Sequence, residues 1–248
     1  MGVEMTVEGP WAQVTLDWPE KRNALAPPDA VRLAEALVEA GKCAVSAVLL
    51  TGNGAFCSGG DLRTFAEIGR GGVPEQIATI VYGKIQAVVR ALRDCPVPTI
   101  AAVDGAAVGL GMDLALACDM RFVGERGWLR QGWGRAGLIA AGGGGFFLAQ
   151  HGDTLPWTLL ASQERLDSSQ AAALGLAEAA PGEAIAAARA RAQELAEVPE
   201  QALRGYVALH RSVRWPPQSY LDECARRQAE LICSEQFGVR AREILGAA

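Results

Sequence analysis

Hydrophobic and polar residues alternate along residues 3–8 and again along residues 11–18, and a Gly-Pro pair separates the two segments. Alternation on both sides of such a pair predicts a two-stranded hairpin. Two prolines at 27–28 predict the start of a helix, whose apolar face continues until Gly41. The continuous apolar run at 44–50 predicts a buried strand, because a strand that is covered on both faces has no polar positions.

The middle of the chain repeats this order of helix and strand. Isoleucine, valine and leucine recur every three or four residues between 74 and 92, which predicts a long amphipathic helix. Residues 99–103 predict a second buried strand, a glycine-spaced helix follows through Cys118, and residues 120–123 predict a third strand. Buried strands that alternate with helices are typical of a parallel sheet, so we expect an α/β fold.

After about residue 145 the pattern becomes helical, and we predict no strand beyond about residue 180. A chain of this size fits one main core, so we expect an α/β core over residues 1–195 and a helical region over residues 196–248. No flexible linker separates them, and we expect the helical region to pack on its own core or on a neighbouring subunit. The predicted helices of this part are alanine-rich and amphipathic: 168–175, 182–196, 199–213 and 216–236.

Composition and charge exclude several classes of protein. The chain has 248 residues, 50% of them hydrophobic, and a net charge of -5 without a long basic run, so we predict neither disorder nor nucleic-acid binding. Asp104 and Asp113 interrupt the apolar stretch 99–118, which argues against a membrane span, and no basic leader is visible, which favours a cytoplasmic location. His151 and His210 lie far apart and the six cysteines form no Cys-x-x-Cys pair, so we expect no metal site and reduced thiols.

Two glycine-rich turns, residues 56–62 and 104–113, each follow a predicted buried strand and each begin a helix. The N–H groups at a helix start have no intrahelical acceptor and lie at the positive end of the helix dipole. Two such turns that meet would bind a developing oxyanion, although each turn alone is also typical of an ordinary connection between strand and helix. A dinucleotide site is not predicted, because Leu114 stands where the glycine fingerprint requires its third glycine.

Five short motifs carry a resemblance to a known family. They are PEKRNAL at 19–25, AFCSGGDL at 55–62, PVPTIAAVDG at 96–105, GLGMDLALACD at 109–119 and SEQFG at 234–238. With these motifs in this order, the chain resembles the enoyl-CoA hydratase/isomerase (crotonase) superfamily over nearly its whole length. The resemblance implies a spiral core of ββα units, a C-terminal helical trimerisation region, and a homotrimer or a dimer of trimers.

The resemblance also implies how the substrate would bind. Members of the family hold the oxygen of an acyl-CoA thioester between two backbone N–H groups, which correspond here to those of Gly60 and Leu110. The substrate carries its own coenzyme A, so no separate cofactor is implied. By the same similarity, Trp133 would line the substrate pocket as a large apolar wall, and these residues would contact other parts of the substrate: Lys21, Arg22, Ala24, Ser58, Asp61, Leu62 and Arg63.

Three departures from the family pattern bear on the reaction. Hydratases of this family use two glutamates, and the corresponding positions here hold Asp113 and Trp133. Addition of water needs both a base and an acid, so the loss of one carboxylate argues against ordinary hydration. Ala141 stands where some isomerases and the dehalogenases of the family have an aspartate. Asp113 is thus the sole candidate acid/base, although the dipole alone also favours an acidic residue in the first turn of a helix.

The sequence therefore predicts an acyl-CoA-processing enzyme of the hydratase/isomerase type that stabilises a thioester enolate, with isomerase-like proton transfer favoured over hydration. Three alternatives stay open. An acyl-CoA hydrolase or decarboxylase of the same superfamily would use the same enolate stabilisation. A CoA-ester-binding subunit with little catalysis would account for the missing glutamate, and an interaction protein would retain only the fold.

Overall fold

The computed structural model describes residues 2–246 and has a mixed α/β fold. Its strands form one sheet of six strands and a second sheet of three strands. In chain order the strands are β1 (Gly2–Glu8), β2 (Trp11–Asp17), β3 (Ala47–Gly52), β4 (Thr99–Val103), β5 (Ala106–Val108), β6 (Met120–Val123), β7 (Trp128–Arg130), β8 (Leu166–Asp167) and β9 (Glu178–Ala179).

The larger sheet has the strand order β1-β2-β3-β4-β6-β9. β1 and β2 pair antiparallel, which confirms the predicted hairpin, and the remaining pairs of this sheet are parallel. The smaller sheet has the order β5-β7-β8, with β7 parallel to β5 and antiparallel to β8. The hydrophobic pattern did not predict β5, β7, β8 or β9, because strands of two or three residues are too short to show a period of two.

Helices cover both faces of the larger sheet and make up most of the C-terminal part. The predicted helix over residues 74–92 is present, but its segment Ile77–Tyr82 is a π-helix, and a short 3-10 helix occurs at Gly134–Ala136. The α-helices are α1 (Pro27–Lys42), α2 (Leu62–Gly69), α3 (Pro74–Gln76), α4 (Gly83–Asp94), α5 (Leu110–Ala117), α6 (Gly144–Ala149), α7 (Leu155–Ser162), α8 (Ser168–Ala173), α9 (Ala184–Ala196), α10 (Glu200–Arg214), α11 (Gln218–Ile232) and α12 (Glu235–Leu245).

Apolar side chains on both faces of the larger sheet explain its continuous hydrophobic strands. Val48 and Leu50 of β3 belong to the main core, which includes α1 and α4, whereas Leu49 between them lies in a second core on the opposite face. Alternate residues of a strand point to opposite faces, so both faces must be covered. α9 covers the second face with fully buried alanines at a spacing of four residues, Ala184, Ala188 and Ala192.

The C-terminal helices pack on the core of their own chain. α11 contacts the π-helical segment, and α12 contacts α2 and the 3-10 helix. α10 is attached through buried Arg211, whose guanidinium donates hydrogen bonds to the Asp119 carboxylate and to the Val97 carbonyl oxygen just before β4. The boundary between residues 195 and 196 stays a prediction. Over residues 2–246, no helix has both the length and the hydrophobicity that a membrane crossing requires.

Candidate active site

The two glycine-rich turns meet in the structure. The Cys57 N–H donates to the Ala106 carbonyl oxygen (2.9 Å), and the Val108 N–H donates to the Cys57 carbonyl oxygen (3.0 Å), so the turns lie side by side like parallel strands. Gly59 has φ of +112°, and a methyl group added there would lie 2.9 Å from the Val108 carbonyl oxygen. Glycine is therefore required at this position for both conformation and space.

Two backbone N–H groups remain free where the turns meet. Within the described part of the chain, neither the Gly60 N–H nor the Leu110 N–H donates a hydrogen bond, whereas the Asp61 N–H next to Gly60 donates to the Leu25 carbonyl oxygen (2.9 Å). Leu110 is the first residue of α5, so its N–H has no acceptor within the helix and lies at the positive end of the dipole. The free groups are the two donors that the sequence predicted for an oxyanion.

A small cavity of about 120 Å³ lies between these turns. It brings together five of the predicted site residues: Ser58, Gly60 and Leu62 from the first turn, Leu110 from the second, and Trp133. Its wall also includes Arg130, Arg135 and Ile244 of α12, which the sequence did not predict. None of the five motifs that carry the resemblance covers these residues, and only the fold shows that they meet at the cavity.

Asp113 lies on α5 behind the cavity and does not line it. Its side chain is buried, with 3% of the residue exposed, and its carboxylate accepts hydrogen bonds from the Trp133 Nε1–H (3.2 Å) and the Gly142 N–H (3.2 Å). Burial raises the pKa of Asp113 from 3.8 to about 7, and the hydrogen bonds from Trp133, Gly142 and Gly144 reduce the rise. Desolvation is the larger effect, so the carboxyl group titrates near neutral pH.

Trp133 lines the cavity and also contacts the buried Asp113 carboxylate. Its ring lies beside Gly109, where an added methyl group would be 3.6 Å from the indole, and its Nε1–H donates to Asp113. The sequence interpretation of Trp133 as an apolar wall is incomplete, because this side chain also positions the acidic residue. Sequence spacing alone does not reveal such a contact, since the two residues lie 20 positions apart on different elements.

The glycines at 142–144 form the rest of the Asp113 environment. A methyl group added to Gly144 would lie 1.9 Å from Asp113 Oδ1, and one added to Gly142 would lie 2.9 Å from Oδ2. Both distances are too short for a side chain, so glycine allows the backbone to approach the carboxylate closely. Gln86 supports this segment from α4, since its Nε2 donates to the Ala141 carbonyl oxygen (3.4 Å) and to the Leu221 carbonyl oxygen (2.7 Å).

Several predicted substrate contacts lie outside the cavity. The Lys21 ammonium pairs with the Asp29 carboxylate at 2.5 Å, and Arg22 is exposed. Ala24 lies in the turn that follows, where its N–H donates to the Lys21 carbonyl oxygen (3.0 Å). The Asp61 carboxylate instead caps α2 by accepting a hydrogen bond from the Thr64 N–H (3.1 Å). Lys21, Arg22 and Ala24 thus flank the first turn, and Asp61 lies at its end.

Arg63 lines a larger cavity of about 600 Å³ between α2 and α12. It thus lies away from the small cavity, on the side of α2 that faces the C-terminal helix. The roles of Lys21, Arg22, Ala24, Asp61 and Arg63 in CoA binding stay predictions.

Comparison with known proteins identifies the family. A family model described as "Enoyl-CoA hydratase/isomerase" matches residues 7–235, so the chain belongs to the enoyl-CoA hydratase/isomerase family and is an enzyme of this lyase and isomerase group. It is 35% identical over 237 residues to "Probable enoyl-CoA hydratase" of Rhodobacter capsulatus, covering 93% of this chain and 90% of the relative.

Solved structures agree with this assignment. An enoyl-CoA hydratase/isomerase from Mycobacterium paratuberculosis superposes with a TM-score of 0.84 and 26% identity over 97% of both chains. An enoyl-CoA hydratase from Bacillus halodurans superposes with a TM-score of 0.87 over 98% of this chain and 100% of the other, and at 20% identity it supports the fold alone. The crotonase-like fold that the motifs implied is therefore confirmed.

Proposed function

We propose that this enzyme binds an acyl-CoA and stabilises the enolate of its thioester with the N–H groups of Gly60 and Leu110. The observation that carries the proposal is that both N–H groups lack an acceptor within residues 2–246 and lie at one cavity. Backbone donors that are already oriented stabilise a developing oxyanion without further reorganisation. Leucine at position 110 supplies the same backbone donor as any other residue.

Asp113 is the proton-transfer group in this proposal. It lies three residues after Leu110 on α5, and its pKa of about 7 suits a group that both accepts and gives up a proton near neutral pH. Because the Trp133 indole lines the cavity and contacts the carboxylate, which does not line it, proton transfer requires the indole to rotate away when the substrate binds. Such a movement would break the hydrogen bond between Trp133 and Asp113 and make the carboxylate a stronger base.

The cavity favours proton transfer over hydration. Its lining contains no aspartate, glutamate or histidine within the described residues. Hydration needs one group to activate water and a second to protonate the α-carbon. Asp113 alone can move a proton from one carbon to another, which is the requirement of a double-bond isomerase.

Decarboxylation or thioester hydrolysis is a second candidate. It is favoured by one observation: the Asp113 carboxylate is already hydrogen-bonded and does not line the cavity. Loss of carbon dioxide from an acyl-CoA that carries a carboxylate on its α-carbon leaves the electron pair of the broken bond on that carbon, so the enolate forms without a base. The two backbone donors would then carry most of the stabilisation.

Assembly and location belong to the same proposal. A homotrimer or a dimer of trimers is supported by an exposed apolar stripe on α10, formed by Tyr206, Leu209 and Val213. Residues at this spacing share one face of a helix. The cytoplasmic location stays a prediction.

The test is mass spectrometry of saturated, enoyl, dienoyl and β-keto acyl-CoAs incubated in D₂O with the wild-type enzyme and with Asp113→Asn. We expect deuterium at the α or γ carbon, or conversion of the thioester, with the wild type and a large loss with Asp113→Asn. Conversion that persists in Asp113→Asn would favour the second candidate. Binding of the thioesters without exchange or conversion by either protein would contradict the proposal and favour a binding subunit.

A further inference from the structure

One wall of the small cavity carries two arginines. Arg130 ends β7 beside the second turn, where its carbonyl oxygen accepts a hydrogen bond from the Gly109 N–H (3.0 Å), and Arg135 lies in the 3-10 helix after Trp133. Both line the cavity, and within residues 2–246 neither has a carboxylate within 4.0 Å. The cavity wall thus has positive charge without compensation.

Arg130 also has an unused hydrogen-bond donor. Its Nε is buried and has no acceptor among the described residues. A buried donor without an acceptor costs free energy. The same strand holds Trp128, whose ring lies 5.3 Å from the Arg130 guanidinium carbon and 4.4 Å from that of Arg165. The aromatic ring therefore stabilises the guanidinium groups of both Arg130 and Arg165, and neither has a carboxylate within 4.0 Å in the part of the chain that the structure describes.

The cavity has two distinct sides. On one side, the first turn is attached to the segment 21–25, since the Ser58 N–H donates to the Arg22 carbonyl oxygen (3.0 Å) and the Leu25 N–H donates to the Gly59 carbonyl oxygen (2.8 Å). Arg130 adjoins the second turn instead, because β7 pairs with β5 at Val108, and Arg135 follows in the 3-10 helix after Trp133. If the thioester oxygen lies between the two free N–H groups and the CoA leaves along residues 21–25, the acyl group points toward Arg130.

We propose that the acyl group of the substrate ends in a carboxylate, which Arg130 binds and Arg135 attracts. This inference rests on the proposed function, because it needs a thioester in the cavity. A guanidinium binds a carboxylate through two parallel hydrogen bonds, and such charge-assisted bonds are stronger than neutral ones. A carboxylate would supply both the acceptor that the buried Nε lacks and the negative charge that the wall lacks. The cavity of about 120 Å³ restricts the acyl group to a short chain.

The test compares two thioesters of equal chain length, glutaryl-CoA and valeryl-CoA, by isothermal titration calorimetry. In the wild type we expect glutaryl-CoA to bind at least about tenfold more tightly, which corresponds to about 1.4 kcal/mol. Arg130→Gln should remove most of this preference, with a much larger loss of affinity for glutaryl-CoA than for valeryl-CoA, and Arg135→Gln should reduce the preference less. Arg126→Gln is the matched control, because the Arg126 side chain is 75% exposed, pairs with Glu183 and does not line this cavity.

Two results would overturn the inference while leaving the proposed function intact. One is equal affinity of the wild type for the two thioesters. The other is an equal loss of both affinities in Arg130→Gln, which would show that Arg130 contacts the CoA phosphates. Failure of both thioesters to bind the wild type would instead contradict the proposed function and the inference with it. Because Arg135 is exposed, Arg135→Gln should fold. It therefore tests the effect of the positive charge at the cavity wall even if Arg130→Gln does not fold.

Discussion

The two glycine-rich regions of the site use their backbone N–H groups in opposite ways. In the turn pair formed by residues 56–62 and 106–111, two N–H groups remain free beside a cavity. In the segment 131–145, the N–H groups of Gly142 and Gly144 are directed at the buried Asp113 carboxylate. The N–H groups of the first region are available to a ligand, whereas those of the second donate hydrogen bonds to an acidic side chain of the protein itself. Glycine content alone does not distinguish these two uses.

The two regions also differ in how closely they follow the sequence pattern of the family. The turn pair carries the family motifs, and the structure places its two donors together. The segment 131–145 has Trp133 at one position where hydratases of the family have glutamate, and there the indole contacts Asp113. Within residues 2–246 the turn pair thus has two free backbone donors, whereas the segment 131–145 surrounds one buried carboxyl group, that of Asp113.

Removal of one free donor is expected to have the largest effect. Leu110→Pro deletes the N–H at the first position of α5, where proline is well tolerated, and should lower kcat/KM for the active thioester by about 100- to 1000-fold. Leu110→Ala is the matched control, since it shortens the side chain but keeps the N–H. Similar kinetics of the two variants in steady-state assays would show that the amide is not a donor to the substrate.

Crowding the Asp113 carboxylate should destabilise the second region. In Gly144→Ala the added methyl would lie 1.9 Å from Asp113 Oδ1, and we expect the free energy of unfolding to fall by about 1–3 kcal/mol in urea titrations. Gly145→Ala is the control, because its methyl would meet only the movable end of Tyr220 at 3.1 Å. An unchanged stability of Gly144→Ala would mean that the carboxylate does not lie against this turn.

The raised pKa of Asp113 should make stability depend on pH. The folded protein holds the proton of this carboxyl group up to about pH 7, whereas the unfolded chain releases it near pH 3.8, so the folded state is favoured at low pH and loses this advantage as the pH rises toward 7. Between pH 5 and pH 7 the free energy of unfolding of the wild type should fall relative to Asp113→Asn by roughly 2 kcal/mol. Urea titrations at several pH values would measure this difference in the free energy of unfolding. If that free energy depended on pH equally in the two proteins, Asp113 would not have a raised pKa in the folded state.

The smallest expected effect is a shift of the pH profile in Trp133→Phe. The indole N–H stabilises the charged form of Asp113, so its removal should raise the pKa of this group further above 7. The rise of kcat/KM with pH should move to higher pH by up to about one unit. Trp157→Phe is the control, since Trp157 is 71% exposed. An unshifted profile would show that Trp133 acts only as a wall of the pocket.

Much of the larger sheet was predictable from the sequence because β1 to β4 are long or fully apolar. The hairpin at residues 2–17 and β4 at Thr99–Val103 agree with the predicted segments. The run at 44–50 corresponds to β3 at Ala47–Gly52, a shift of a few residues at the end of a strand. The π-helical segment was not predictable, because a repeat of three or four residues fits an α-helix and a short π-helix equally well.

The candidate site was predictable only where the chemistry resides in the backbone or in a motif. The two turns were predicted because a turn after a buried strand leaves N–H groups free, whatever the side chain, and the family resemblance then assigned the donors to Gly60 and Leu110. Arg130 and Arg135 were missed, since each is an ordinary surface residue in the sequence and becomes part of a cavity wall only when β7 packs beside β5. The contact of Trp133 with Asp113 was missed for the same reason.

In the proposed function, the free N–H groups of Gly60 and Leu110 polarise the thioester carbonyl. The most direct measurement is the ¹³C NMR shift of an acyl-CoA labelled at its thioester carbonyl, recorded free and at saturation with the wild type, Leu110→Ala and Leu110→Pro. We predict a downfield shift on binding to the wild type and to Leu110→Ala, and a clearly smaller shift with Leu110→Pro. A carbonyl resonance that does not move on saturation of the wild type, or that moves equally in all three proteins, would contradict the account.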